Sequence, residues 1–309
     1  MQTITYNSQK TSTFHFCLVY IMTESSIKRV PIIKVTNFES VKTSDALAIE
    51  EPLEIRLEYG SRKERKVQNI SVTMRTPGHD IELASGFLFT EGIVKNINEI
   101  ATVDHCFIAC EENKENVIQV SLRQGIVPNL QNTERNFYTT SSCGVCGKGS
   151  INAIRTVSAF TQSNDDFKVN TELLHQLPYI LLEQQSVFAD TGGLHASALF
   201  TADGDLILVR EDVGRHNALD KLIGAAFRKD WLPLNKSILL LSGRASFELV
   251  QKAAMAGINI IASVGAPSSL AVQLAEEFNI TLAGFLRNQR FNIYTAAHRL
   301  LIPNYENTY

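Results

Sequence analysis

The sequence predicts an α/β fold, with a doubly covered parallel sheet in its second half and a smaller mixed α+β region in its first. Three observations carry that prediction. Beyond residue 190, short runs rich in Ile, Leu and Val ("SILLLSG", "INIIASVG", "ITLAGFLR") alternate with helical patterns ("ALDKLIGAAFRK", "SFELVQKAAMAG", "SSLAVQLAEEFN"). Continuous apolar strands separated by helices are the pattern of strands buried on both faces. In the first half, "PLEIRLEYG" and "VQNISVTMRTPG" alternate apolar and polar residues, the period of a half-buried strand. Between the halves, residues 128–149 are polar and rich in turn formers, which marks either a boundary or a functional loop.

Taken in order, residues 1–29 read as a disordered extension, with the polar stretch from Met22 as a natural start. The apolar run "FHFCLVYIM" at 14–22 is too short to span a bilayer, and no small-residue cleavage site follows it. An N-terminal α+β domain occupies 30–135. It holds a hairpin whose two strands flank the charged run "SRKERK" at 61–66, read as a solvated turn, then a helix "IELASGFLFTEGI" capped by Asp80, and a further strand "VIQVSLRQG". The α/β domain covers 136–302 and carries a Cys-x-x-Cys loop at its start. Its strands begin with "SALFTADGDLILVRED", two strands around a turn at Asp203-Gly204.

Composition limits the function classes. The chain has 309 residues, 44% hydrophobic and 20% charged, enough for a sizeable core, and its formal net charge of -3 argues against a general nucleic-acid binder. No like-charge block suggests a membrane surface. Five cysteines, at 17, 106, 110, 143 and 146, are too few and too uneven for a disulfide framework and suit a reducing cytoplasm.

The pair Cys143 and Cys146 lies in "SSCGVCGKG", among Ser and Gly. Two thiols at that spacing can share a metal, cycle as a disulfide, or act as nucleophile and resolving thiol. Structural zinc needs a second pair; Cys106 and Cys110 are one residue too far apart for the commonest knuckle and no histidine pair accompanies them. A thioredoxin-like site would follow directly on a buried strand, whereas a long polar stretch precedes this one. The favoured reading is covalent work by an exposed thiolate, its pKa lowered by loop amides, by Lys148 and by the start of a following helix.

Three more stretches carry chemistry. "ADTGGLHASALF" and "REDVGRHNALDKL" place His195 and His216 beside glycine turns, the second at a helix start where free N–H groups favour anions. In "LLLSGRASFELV" a buried strand ends at Ser242-Gly243, with Arg244 and a helix-capping Ser246 following, the position at which open α/β sheets bind phosphate or a nucleotide. In "GFLRNQRFNIYT", Arg287 and Arg290 beside Phe285 and Phe291 can hold phosphates by charge and a base by stacking.

Together with "RTPGHDIELASGFLFTEGIV", these motifs occur in this order in the formate dehydrogenase accessory sulfurtransferases, the FdhD family, which the chain closely resembles over about residues 30–300. The resemblance implies a second domain of the cytidine-deaminase-like three-layer αβα type. It also implies a sulfur carrier, loaded as a persulfide by a cysteine desulfurase. The sulfur passes to the molybdenum or tungsten bis-(molybdopterin guanine dinucleotide) cofactor destined for formate dehydrogenase. By motif position Cys143 bears the persulfide and Cys146 assists. The client cofactor is held by Phe285, Leu286, Arg287, Asn288, Gln289 and Arg290, with Arg244, Ser246 and His195 beside them. A homodimer, no resident cofactor or metal, and no nucleic-acid or membrane partner complete the expectation. Deamination is disfavoured, because zinc deaminases need H-x-E and P-C-x-x-C, whereas His195 is followed by Ala196-Ser197 and no proline precedes Cys143. A cofactor-binding chaperone and a thiol–disulfide oxidoreductase are the other classes compatible with these residues.

Overall fold

The computed structural model describes residues 26–106, 116–130, 160, 167–287 and 289–303. The described chain opens with an antiparallel ribbon of β1 (Ile27–Thr36) and β2 (Glu39–Ala48), turning at Asn37-Phe38, both at positive φ. Ile27–Arg29, placed by the sequence in the extension, are already in β1 because they pair across to Ala46–Ala48. Next comes a four-stranded sheet of β3 (Glu51–Ser61), β4 (Glu64–Arg75), β5 (Ile100–His105) and β6 (Val117–Leu122), in the order β4-β3-β6-β5. The β3–β4 turn falls on Arg62-Lys63, as the charged run predicts, with Ser61 opposite Glu64. Alternation in β3 turns Leu53, Ile55 and Leu57 fully inward.

Helix α1 (Asp80–Thr90) lies between the two halves. The capping role read for Asp80 is not what forms. His79, at φ 60°, holds the cap position, and the Asp80 carboxylate lies 2.9 Å from Nη2 of Arg75. Arg75 is 1% exposed, and a guanidinium that deep needs a charged partner more than the helix needs a side-chain cap.

The second half contributes β7 (Val169–Asn170), α2 (Thr171–Leu174), α3 (Leu177–Gln184), α4 (Ser186–Thr191), β8 (His195–Phe200) and β9 (Leu206–Asp212). After these come α5 (Arg215–Arg228), β10 (Ile238–Leu241), α6 (Phe247–Met255), β11 (Ile260–Ser263) and α7 (Ser269–Glu277). The last strands are β12 (Thr281–Arg287), β13 (Arg290–Thr295) and β14 (Leu300–Leu301), the last paired with β7. The main sheet runs β13-β12-β11-β10-β8-β9.

This sheet is mixed, which corrects the expectation of a parallel one. Only β10, β11 and β12 are mutually parallel; β8, β9 and β13 are antiparallel to their neighbours. Short connections at 201–205 and 288–289 can join only antiparallel neighbours. The unbroken apolar runs that suggested parallel strands reflect burial on both faces, which antiparallel strands share wherever helices cover them.

One hydrophobic core crosses from the first half to the second, uniting Leu53, Leu88 and Phe89 with Leu219, Leu222 and Ile223. Helices α1 and α5 touch backbone to backbone: a Cβ on Gly86 would overlap the carbonyl oxygen of Asp220, and one on Gly224 that of Glu82. Buried charges tie the same seam. Lys252 Nζ lies 3.0 Å from Asp220 and 2.9 Å from Thr90 Oγ1, and Lys221 Nζ lies 2.7 Å from Asp212. Burial alone would lower the Lys252 pKa, but Asp220 and Glu91 raise it and keep the ammonium charged.

Candidate functional site

The site grows from one end of the central strands of the six-stranded sheet, where β10 and β11 finish and β8 begins. Because β8 runs antiparallel to β10, its first residue His195 lies beside the end of β10; the Ala196 amide donates to Ser242 Oγ at 2.8 Å and the Ser242 amide to Ala196 O at 3.0 Å. Gly243 then passes against the imidazole, where a Cβ would sit 3.2 Å from His195 Nδ1. The Gly265 amide donates to Gly243 O, and the Phe285 amide to Gly265 O, each at 3.0 Å. A Cβ on Gly265 would come within 2.9 Å of Arg244 Cγ. His195, Arg244 and Phe285, distant in sequence, thus share one shelf lined by glycine backbone. Any side chain at Gly243 or Gly265 would push into it.

A buried carboxylate sets the adjoining turn. Asp212 Oδ1 accepts from the Gly214 amide at 2.8 Å and Asn217 Nδ2 at 3.1 Å, while Oδ2 accepts from the Thr76 amide at 3.1 Å. These bonds fix Val213-Gly214 and with it the start of α5, which presents Arg215 and His216. His216 Nε2 is 2.9 Å from Glu248 Oε2 and 3.4 Å from Ser246 Oγ. Ser246 stands at the cap position of α6, as the sequence suggests, but makes no cap hydrogen bond; its hydroxyl faces His216. The starts of α6 and α5 thus both lack a side-chain cap from the cap residue.

The electrostatics favour an anion. Burial lowers the His195 pKa, the neighbouring charges of Arg215 and His216 lower it further, and Asp212 opposes them, so the ring is neutral at pH 7. Arg215 Nε is buried and has no acceptor among the described residues. Arg244 is exposed and free of ion pairs among those residues. Two guanidiniums, two imidazoles and two uncapped helix starts around a glycine shelf can hold phosphate-like groups.

At the far end of the shelf Phe285 is half-buried, at φ 58°, on a β-bulge of β12. Arg287 lies 5.9 Å from its ring centroid and pairs in register with Arg290 across the β12–β13 hairpin, both exposed. Gln289, at φ 56°, forms the turn. Leu286 is fully buried in the second core, so it anchors the bulge and presents no side chain to a ligand. Asn288, Cys143 and Cys146 lie outside the described residues. Sequence reasoning missed Arg215 and Glu248. Arg215 had a readable signal, a cation at a helix start, where the dipole disfavours one. Glu248 had none, since an acid in a first turn is ordinary.

The family model described as the FdhD/NarQ family matches residues 48–301. Among curated relatives, the sulfur carrier protein FdhD of Mycolicibacterium paratuberculosis is 50% identical over 264 residues, 85% of this chain and 94% of the relative. The protein of that name from Streptomyces avermitilis is 47% identical over 278 residues, 89% and 96% of the two chains. That from Saccharolobus solfataricus is 39% identical over 274 residues, 89% and 98%. A crystal structure from Desulfotalea psychrophila, assigned as a formate dehydrogenase accessory protein, superposes with a TM-score of 0.66 at 24% identity, covering 89% of this chain and 99% of that one. That likeness concerns the fold.

Proposed function

This chain belongs to the FdhD/NarQ family, and on that premise we propose that it is a sulfur carrier serving formate dehydrogenase. Its sulfur comes as a persulfide from a cysteine desulfurase and goes to the molybdenum or tungsten bis-(molybdopterin guanine dinucleotide) cofactor, bound as substrate. The observation that carries the reading is the shelf on which His195, Arg215, Arg244 and Phe285 meet, a phosphate-binding surface with an aromatic at one end.

In the loading step the Cys143 thiolate attacks the outer sulfur of the donor's persulfide. The donor's S–S bond breaks, a new S–S bond forms on Cys143, and the donor cysteine leaves as a thiolate. In delivery Cys146 attacks the inner sulfur of the Cys143 persulfide, the outer sulfur departs as hydrosulfide toward the acceptor, and a Cys143–Cys146 disulfide remains for a thiol reductant to reopen. Arg215, Arg244 and the first amides of α6 hold phosphate oxygens; Arg287 and Arg290 add charge, and Phe285 offers a ring face to a base. Neutral His195 accepts or donates one hydrogen bond beside them. The three parallel strands flanked by antiparallel ones, with helices on the sheet, support a cytidine-deaminase-like three-layer arrangement. The reading makes the protein a cytoplasmic homodimer. No helix among the described residues is long and apolar enough to cross a membrane.

The test is reconstitution of formate dehydrogenase in a host deprived of its own carrier. The native chain restores activity, Cys143→Ala restores none, and Arg244→Glu restores only part. Full restoration by Cys143→Ala would overturn sulfur transfer and leave a cofactor-binding chaperone.

A further inference from the structure

The run Arg62–Lys66, read from the sequence as a solvated turn, closes one side of a cleft that the sulfur-carrier reading does not use. The cleft has a volume of about 510 Å³ and is lined by Arg62, Arg65, Ala101, Leu122, Arg123 and Gln124. It lies where β3, β4, β5 and β6 end or begin, at the end of the four-stranded sheet opposite Arg75 and the seam.

Its arginines divide into two kinds. Arg65 is committed to the fold: Nε donates to Glu58 Oε1 at 3.2 Å, and Nη2 donates to the carbonyls of Leu122 at 2.9 Å and Glu58 at 3.3 Å. It clamps β3, β4 and β6 into a fixed wall. Arg65 supplies the countercharge to the Glu58 carboxylate, whose other oxygen accepts from Ser121 Oγ at 2.6 Å. Arg62 and Arg123, by contrast, are exposed, and no acceptor among the described residues takes their guanidiniums. Lys63 and Lys66 stand exposed on the same turn, with Glu64 as the turn's single carboxylate. Glu99, whose carbonyl accepts from the Arg123 amide, turns its own carboxylate to the Lys95 amide at 2.8 Å. The floor formed by Ala101 and Leu122 is apolar.

A rigid wall, an apolar floor and a rim of planar cations with no acceptor among the described residues suit a planar acid with a hydrocarbon stem. We infer that this cleft docks a carboxylate-rich segment of a partner protein. It is open to solvent, whereas a small-molecule site buries most of its ligand. A chain of net charge -3 is poorly suited to a long polyanion such as nucleic acid. Arg123 precedes Cys143 by 20 residues along the chain.

The experiment uses the full chain and a fluorescently labelled peptide of alternating Glu and Gly, followed by anisotropy at low and physiological salt. The native chain binds, and the double variant Arg62→Glu/Arg123→Glu weakens binding by about tenfold or more. The variant Lys34→Glu/Lys42→Glu, an equal charge change on the ribbon, leaves binding unchanged. Absence of binding by the native chain, or equal loss in both variants, overturns the inference. So does displacement of the peptide by inorganic pyrophosphate as readily as by unlabelled peptide, which would mark a small-anion site. None of these outcomes depends on whether Cys143 carries sulfur.

Discussion

At the seam between the two sheets, Lys221 and Lys252 each end on carboxylates inside the protein, at 2.7 and 3.0 Å. At the strand ends around His195, Arg244 ends in solvent and Arg215 Nε ends on no acceptor among the described residues. The same kinds of residue thus do opposite work. Where charges are matched internally they fix geometry, and where they are left over they are available to an anion. Asp212 links the two regions, since the carboxylate that holds Lys221 also sets the turn presenting Arg215 and His216.

The contrast breaks most severely at Lys221. Lys221→Met strands a fully buried carboxylate and should cost about 3–5 kcal/mol, measured by denaturant unfolding; a cost under 1 kcal/mol would mean that the pair does not hold the seam. Gly224→Ala comes next. Its new methyl meets the Glu82 carbonyl, and about 1–3 kcal/mol of destabilisation should appear as a lowered Tm, with Gly86→Ala showing the same.

Acid acts on the seam as well. Burial would raise the Glu82 pKa, but hydrogen bonds from Arg210 and His79 pull it from 4.5 down to about 2. The unfolded chain therefore binds this proton first, and stability present above 4.5 is lost as pH falls toward 2. Glu82→Gln should flatten that part of the pH–stability curve. A histidine held neutral acts in the same direction at higher pH: His195 adds a smaller loss that starts as pH drops below 6.5. The smallest stability effect belongs to the strand ends around His195. Arg244→Ala should change unfolding free energy by no more than about 0.5 kcal/mol while weakening pyrophosphate binding by roughly tenfold. Equal binding in the two proteins would remove Arg244 from the site.

The sequence made much of this legible where local pattern and physical cause coincide. The β3–β4 hairpin followed from alternation and a charged turn, and α5, α6 and α7 from apolar periodicity. The structure adds that Ser268 caps α7, accepting from the Ala271 amide at 3.2 Å. Strand direction was not legible, because the interiors of β8 and β10 look alike whichever way they run. The ribbon β1–β2 also escaped, since Ile33, Val35, Val41 and Phe38 are exposed and obey no rule about burial. At the site, His195, Arg244 and Phe285 were readable one by one from their glycine-rich settings. Their meeting depended on β8 lying beside β10, a tertiary fact.

The most direct test of sulfur carriage is intact mass after incubating the reduced protein with a cysteine desulfurase and cysteine. One added sulfur, removed by reductant, is expected on the native chain and none on Cys143→Ala. A native chain that gains no sulfur, or a variant that gains it equally, would contradict sulfur carriage.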